Sequence, residues 1–65
     1  MTARAGHIRV RLDTVGGVRQ EARCRVHVAG RLVLNSCLGA ESETEAAINV
    51  LAEAIAAIAR AETRS

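Results

Sequence analysis

Hydrophobic and polar residues alternate with a period of two in the first half of the chain. Between Ile8 and Leu12 every second residue is aliphatic, and the residues between them are arginine. A similar alternation returns between Ala22 and His27. Because side chains i and i+2 of a strand share a face, the pattern predicts half-buried strands with an apolar inner face and a basic outer face. We predict three strands, over residues 7–13, 17–27 and 31–38.

Glycine-containing segments separate the predicted strands. Thr14–Gly16 and Val28–Gly30 each end in glycine, which suits the left-handed final position of a three-residue hairpin loop. A first loop of this length predicts that Leu12 faces Val18 across the sheet. The segment of residues 1–6 is short and contains small and polar residues, and we expect it to form a flexible arm.

The second half of the chain changes to a helical period. Ser42 and Glu45 have the spacing of a capping box, and the neighbouring glutamates suit the positive end of a helix dipole. This pattern predicts one helix over residues 43–62. One stripe of this helix is strongly aliphatic, and we expect it to pack on the sheet. The stripe consists of Ile48, Leu51, Ile55 and Ile58.

A second apolar stripe adjoins the first and is rich in alanine. A helix on one three-stranded sheet would bury only one stripe, so the second is predicted to contact another copy in a homodimer. The alternative is that alanine is present because it is the strongest helix former and tolerates exposure. The predicted dimer interface consists of Ala46, Val50, Ala54, Ala57 and Ala61.

The size of the chain limits the architecture. It has 65 residues and no Phe, Tyr or Trp, so the core must be built from smaller aliphatic side chains. We predict an α+β fold in which a three-stranded antiparallel meander is followed by one C-terminal helix packed on one face. This is a single domain of residues 1–65, with the arm at 1–6, the sheet at 7–38 and the helical segment at 42–63.

Basic residues are concentrated on the predicted outer face of the sheet. All nine are arginine, whose planar guanidinium suits bidentate contacts to phosphate or carboxylate groups. We predict a binding protein that contacts nucleic-acid phosphates or an acidic protein surface. The alternatives are an ordinary solvated sheet face and a GC-rich genome, which favours arginine and alanine codons. The predicted binding residues are Arg9, Arg11, Arg19, Arg23, Arg25 and Arg31.

The other polar residues give no catalytic or metal-binding pattern. Cys24 and Cys37 are predicted on opposite faces of the sheet, which disfavours a disulfide or a shared metal ion. Convergent carboxylates, a nucleophile paired with His and a phosphate-binding glycine loop are not found. We therefore predict a non-enzymatic protein without cofactor or metal. No apolar run reaches the length of a signal peptide or membrane span, which predicts a cytoplasmic protein.

The helix sequence resembles that of HicB-type antitoxins. The resemblance rests on the opening Ser42, Glu45 and Ala46 and on the later Glu53-Ala54-Ile55, within a similar order of strands and helix. It implies a partial ribonuclease H-like module without nuclease activity, because the catalytic carboxylates have no matching set. The implied alternative function is an antitoxin-like or phage-type inhibitor that blocks an acidic or nucleic-acid-binding site on a protein. The order of elements is also similar to the arm-binding domain of some phage-type integrases.

Overall fold

The computed structural model describes residues 1–64 as a four-stranded antiparallel sheet with one C-terminal helix. The elements are β1 (Thr2–Ala5), β2 (Ile8–Val15), β3 (Gln20–Val28), β4 (Arg31–Ala40) and α1 (Glu43–Thr63). Each strand pairs with its neighbour in sequence, in the order β1-β2-β3-β4. The helix lies mainly over β3 and β4. The α+β prediction is confirmed, but the number of strands is wrong.

The additional strand, β1, replaces the predicted flexible arm. Ala5 pairs with Ile8 across a two-residue turn that begins with Gly6 at φ 60°, as a type II′ turn requires. Beyond the other end of β1, the Met1 amino group and carbonyl exchange two 2.8 Å hydrogen bonds with the backbone of Leu12. All four residues of β1 are exposed. Backbone hydrogen bonds rather than burial hold this strand, which explains why the apolar pattern did not indicate it.

The pairing of β2 with β3 differs from the predicted register. Leu12 lies opposite Cys24 rather than Val18, and the connecting loop is Gly16–Arg19 rather than Thr14–Gly16. In the observed register, three consecutive pairs on the inner face join apolar side chains. The observed register differs from the predicted register by an even number of residues, so each side chain of β2 and β3 remains on its predicted face.

The β3–β4 connection is a two-residue turn rather than the predicted three-residue loop Val28–Gly30. Its residues Ala29 and Gly30 have φ angles of 52° and 79°. Two successive positive φ angles are those of a type I′ turn, which matches the twist of the flanking strands. Ala29 is therefore strained, because its Cβ disfavours the left-handed region.

Ala29→Asn is expected to stabilise the protein by about 0.5–1 kcal/mol, because asparagine adopts the left-handed conformation more readily than alanine. Urea denaturation followed by circular dichroism measures the change in the free energy of unfolding. The control Gly30→Ala places a Cβ at φ 79° and is expected to destabilise the protein by a similar amount. Equal stabilities for both variants and the natural chain would contradict the assigned turn geometry.

The helix packs on the sheet through its small residues. Four of the five residues predicted to form a dimer interface are at most 3% exposed, and the fifth is partly buried. Most of them belong to one hydrophobic core with apolar side chains from β2, β3 and β4. The prediction that this stripe contacts a second copy is wrong, because these residues are buried within one chain. They are Ala46, Val50, Ala54, Ala57 and Ala61.

The larger aliphatic residues of α1 lie away from the centre of the helix–sheet contact. Ile48 and Ile55 are 61% and 70% exposed, whereas Leu51 and Ile58 are partly buried. The prediction that this stripe packs on the sheet is therefore confirmed for Leu51 and Ile58, which pack against the core, and wrong for Ile48 and Ile55. The sheet already supplies larger side chains such as Leu12, Leu34 and Leu38, and mostly small residues on the facing helix let the two layers approach closely.

Candidate nucleic-acid interface

The sheet surface opposite α1 carries five arginine side chains. Strand alternation places them there because the residues between them on β2 and β3 belong to the core. Only Arg25 among them is partly buried, and the others are exposed. We call this surface the arginine face. It comprises Arg4 on β1, Arg9 and Arg11 on β2, and Arg23 and Arg25 on β3.

Two pairs of arginine residues stand directly opposite each other on neighbouring strands. Arg4 is paired with Arg9, and Arg11 is paired with Arg25. The Cβ atoms of such pairs are about 4.5–5.5 Å apart, and like charges at this distance destabilise a sheet. Arg4 was not among the residues predicted for the site, because it lies in the segment expected to be a flexible arm.

Acidic side chains neutralise the arginine face only in part. Arg11 Nε donates to Asp13 Oδ2 at 3.1 Å, and this is the only ion pair on the face within residues 1–64. Both side chains are well exposed, so the pair contributes at most about 1 kcal/mol. Arg9 Nη2 donates to His27 Nδ1 at 3.4 Å, and an imidazole supplies no negative charge. The surface around Arg9 therefore remains positive.

The arginine face contains two adjoining hollows. One has a volume of about 250 Å³, and the other, of about 240 Å³, lies beside the turns at Gly6 and Gly30. Arg9 and His27 line both, so the two hollows are neighbours. Guanidinium groups around a hollow are suited to bidentate contacts with phosphate oxygens. The first hollow is lined by Thr2, Arg9, Arg11, Arg25 and His27.

Arg31, which was predicted on the outer face, lies on the other side of the sheet. Val33 is an extra residue in β4, because Val26 pairs with Leu34 whereas His27 pairs with Leu32. This bulge shifts the alternation of β4 by one residue. Arg31 consequently pairs with Val28 and lines a hollow at the C-terminal end of α1. The prediction that Arg31 belongs to the outer face is wrong.

Arg19 lies at the far end of the arginine face, in the β2–β3 loop. Its Nη2 atom is 3.6 Å from the position that a Cβ on Gly39 would occupy, and Glu21 lies equally close to that position. Because Gly39 has no side chain, the guanidinium has room above β4. Arg19 therefore extends the positive surface beyond the strands, next to an acidic residue.

The two cysteine residues lie on opposite sides of the sheet and are free thiols. Cys24 is fully buried, and burial raises the pKa of its thiol. Cys37 is exposed on the same side as the arginine face, where Sγ donates to Glu21 Oε2 at 3.4 Å. The buried thiol is therefore a core side chain, and only Cys37 is accessible to reagents in the folded protein.

Residues 1–64 contain no group of three His, Cys, Asp or Glu side chains placed to hold a metal ion. Their helix is not long and apolar enough to cross a membrane. The resemblances to HicB-type antitoxins and integrase arm-binding domains stay predictions. No protein-family model, curated protein or solved structure matches this chain.

Proposed function

We propose that the protein binds nucleic acid by contacting backbone phosphates with its arginine face. The observation that carries this proposal is the pairing of Arg4 with Arg9 and of Arg11 with Arg25. In each pair two guanidinium groups face each other across neighbouring strands, and within residues 1–64 only Arg11 among these four has an acidic partner, so like-charge repulsion destabilises the free protein. A phosphate group between them would form charge-assisted hydrogen bonds to both guanidinium groups and offset the repulsion.

Composition favours a duplex over a single strand as the ligand. The sequence has no Phe, Tyr or Trp on which an unpaired base would stack. Binding through the backbone alone gives little sequence discrimination and strong salt dependence. If each of the two arginine pairs binds one phosphate, the logarithm of the association constant should fall with the logarithm of salt concentration with a slope of about −2.

Fluorescence anisotropy with labelled duplex DNA and duplex RNA, at low and moderate salt, tests the proposal. The matched variants are Arg25→Glu, on the arginine face, and Arg31→Glu, which removes the same charge on the opposite side. Arg25→Glu is expected to weaken binding at least about tenfold, as the loss of one charged hydrogen-bond partner implies. Arg31→Glu is expected to change affinity by less than about threefold, because only long-range charge is altered.

Two results would overturn the proposal. Equal losses in both variants would mean that net charge rather than the arginine face determines binding. Absence of binding to either duplex at low salt would favour the alternative function, an antitoxin-like inhibitor that engages an acidic protein surface.

A further inference from the structure

Strand β4 forms one edge of the sheet and lacks the usual protection against pairing. Within residues 1–64 no strand pairs with the side of β4 away from β3, so the backbone N–H and C=O groups on that side are open. The nine residues from Leu32 to Ala40 include no charged residue and no proline. Natural proteins usually protect a long edge strand with charges, proline or a covering segment. This edge is therefore suited to backbone pairing with another strand.

One flank of α1 lies on the same side as this open edge. Ser36 Oγ on β4 donates to Glu53 Oε1 at 2.8 Å, which identifies the flank. The opposite flank bears Glu62, whose Oε1 is bonded to His7 at the β1–β2 turn. At 100° per residue, the flank facing the β4 edge also carries several exposed residues. They are Glu45, Asn49, Ala56 and Arg60.

The charges near the two ends of this flank are complementary to each other in an antiparallel arrangement. Glu45 lies near the N-terminal end of α1 and Arg60 near its C-terminal end, about 22 Å apart along the axis. In an antiparallel pair of helices centred between Ala52 and Glu53, each Glu45 would lie opposite Arg60 of the other copy. Between these pairs Asn49 would lie opposite Ala56, whose small side chain lets the helices approach closely.

We infer that a second copy of this chain docks on the β4 edge, joining the two sheets into one of eight strands with the helices side by side. Neighbouring strands are about 4.8 Å apart, and the twofold axis of the dimer would lie midway between the two copies of β4. The axis of a helix that lies above the gap between β3 and β4 is therefore about 5 Å from the twofold axis. Two such helices are then about 10 Å apart, close to the usual packing distance of 8–10 Å. The inference does not depend on nucleic-acid binding.

Strand pairing and helix pairing require the same twofold axis. Antiparallel pairing of β4 with its copy centred on Ser36 keeps inner residues opposite inner residues and outer opposite outer from Leu34 to Leu38, on one side of the bulge at Val33. The helix pairing of Glu45 with Arg60 is centred between Ala52 and Glu53. Ser36 and Glu53 are hydrogen-bonded to each other. The centre of the strand pairing therefore lies next to the centre of the helix pairing. A single isologous interface therefore satisfies the strand and the helix together.

Sedimentation equilibrium of the purified chain over a range of micromolar concentrations tests the inference. The natural chain is expected to sediment at twice its mass of 6.9 kDa. Ala56→Glu places a carboxylate in the helix contact and is expected to raise the dimer dissociation constant at least about tenfold. The control Ala59→Glu makes the same change at an exposed position on the side of α1 away from the sheet, and should leave the dimer intact.

Two further measurements are specific to the proposed contact. Arg60→Glu should weaken the dimer, and adding Glu45→Arg should restore it, because the pair is then reversed in sign. Hydrogen exchange of β4 amides should be slow in the natural chain and fast in Ala56→Glu. A monomeric natural chain, equal effects of Ala56→Glu and Ala59→Glu, or no rescue by the charge exchange would overturn the inference. Dimerisation with exchangeable β4 amides would place the interface elsewhere and would also overturn it.

Discussion

Ala54→Glu is expected to unfold the protein. Ala54 is 2% exposed between α1 and the sheet, so the new carboxylate would be forced into an apolar core without a partner. Burying an unpaired polar group costs at least about 2 kcal/mol, and overpacking adds about 1–3 kcal/mol. A domain of this size is typically stable by only about 3–5 kcal/mol. Loss of the far-ultraviolet circular dichroism of the folded state measures the effect.

The adjacent position provides a matched control for this substitution. Ile55 is 70% exposed, and Ile55→Glu is expected to change the free energy of unfolding by no more than about 0.5 kcal/mol. A folded Ala54→Glu variant that differs from the natural chain only in its mass in solution would contradict the packing described above. That outcome would support the alanine-rich dimer interface expected from the sequence.

The choice between the two helix stripes shows what periodicity determines and what it leaves open. The helix and its start were predictable because local interactions fix them, and Ser42 Oγ does accept from the Glu45 N–H at 3.1 Å. Which stripe faces the sheet depends on shape. Hydropathy ranks Ile48 above Ala54, but a sheet that already presents large aliphatic side chains is better matched by a smooth helix surface.

The candidate site was predictable where alternation alone decides the face of a residue. Arg9, Arg11, Arg23 and Arg25 lie on the expected side because an even change of register leaves every side chain on its face. Arg31 was misplaced because a bulge at one residue of β4 reverses the alternation beyond it. Such a bulge depends on strand pairing and twist, which a pattern read along one segment does not contain.

The double variant Arg9→Glu and Arg25→Glu is expected to lose nucleic-acid binding while becoming more stable. Each substitution places a carboxylate opposite the remaining arginine of a pair, which replaces repulsion with attraction. The free energy of unfolding should rise by about 0.5–2 kcal/mol for the two pairs together. Loss of two charged contacts should weaken binding about 100-fold or more at low salt. Urea denaturation and fluorescence anisotropy measure the two effects.

A control with the same change in net charge separates local contacts from overall charge. Arg31→Glu combined with Arg64→Glu changes two residues that line the hollow at the end of α1, away from the arginine face. Affinity should fall by less than about tenfold, because these charges act on the ligand only through screened long-range attraction. If this control loses affinity to the same extent, or if the first double variant is less stable than the natural chain, the account of the paired arginines is wrong.

The central claim is that the arginine face contacts phosphate, and the most direct measurement follows the side chains themselves. Two-dimensional NMR of the arginine Nε–H groups, recorded while short duplex DNA or RNA is added at low salt, reports each guanidinium separately. We predict that the signals of Arg4, Arg9, Arg11 and Arg25 shift and that those of Arg31, Arg60 and Arg64 remain near their free positions. Shifts confined to Arg31, Arg60 and Arg64, or no shift in any arginine, would contradict the claim.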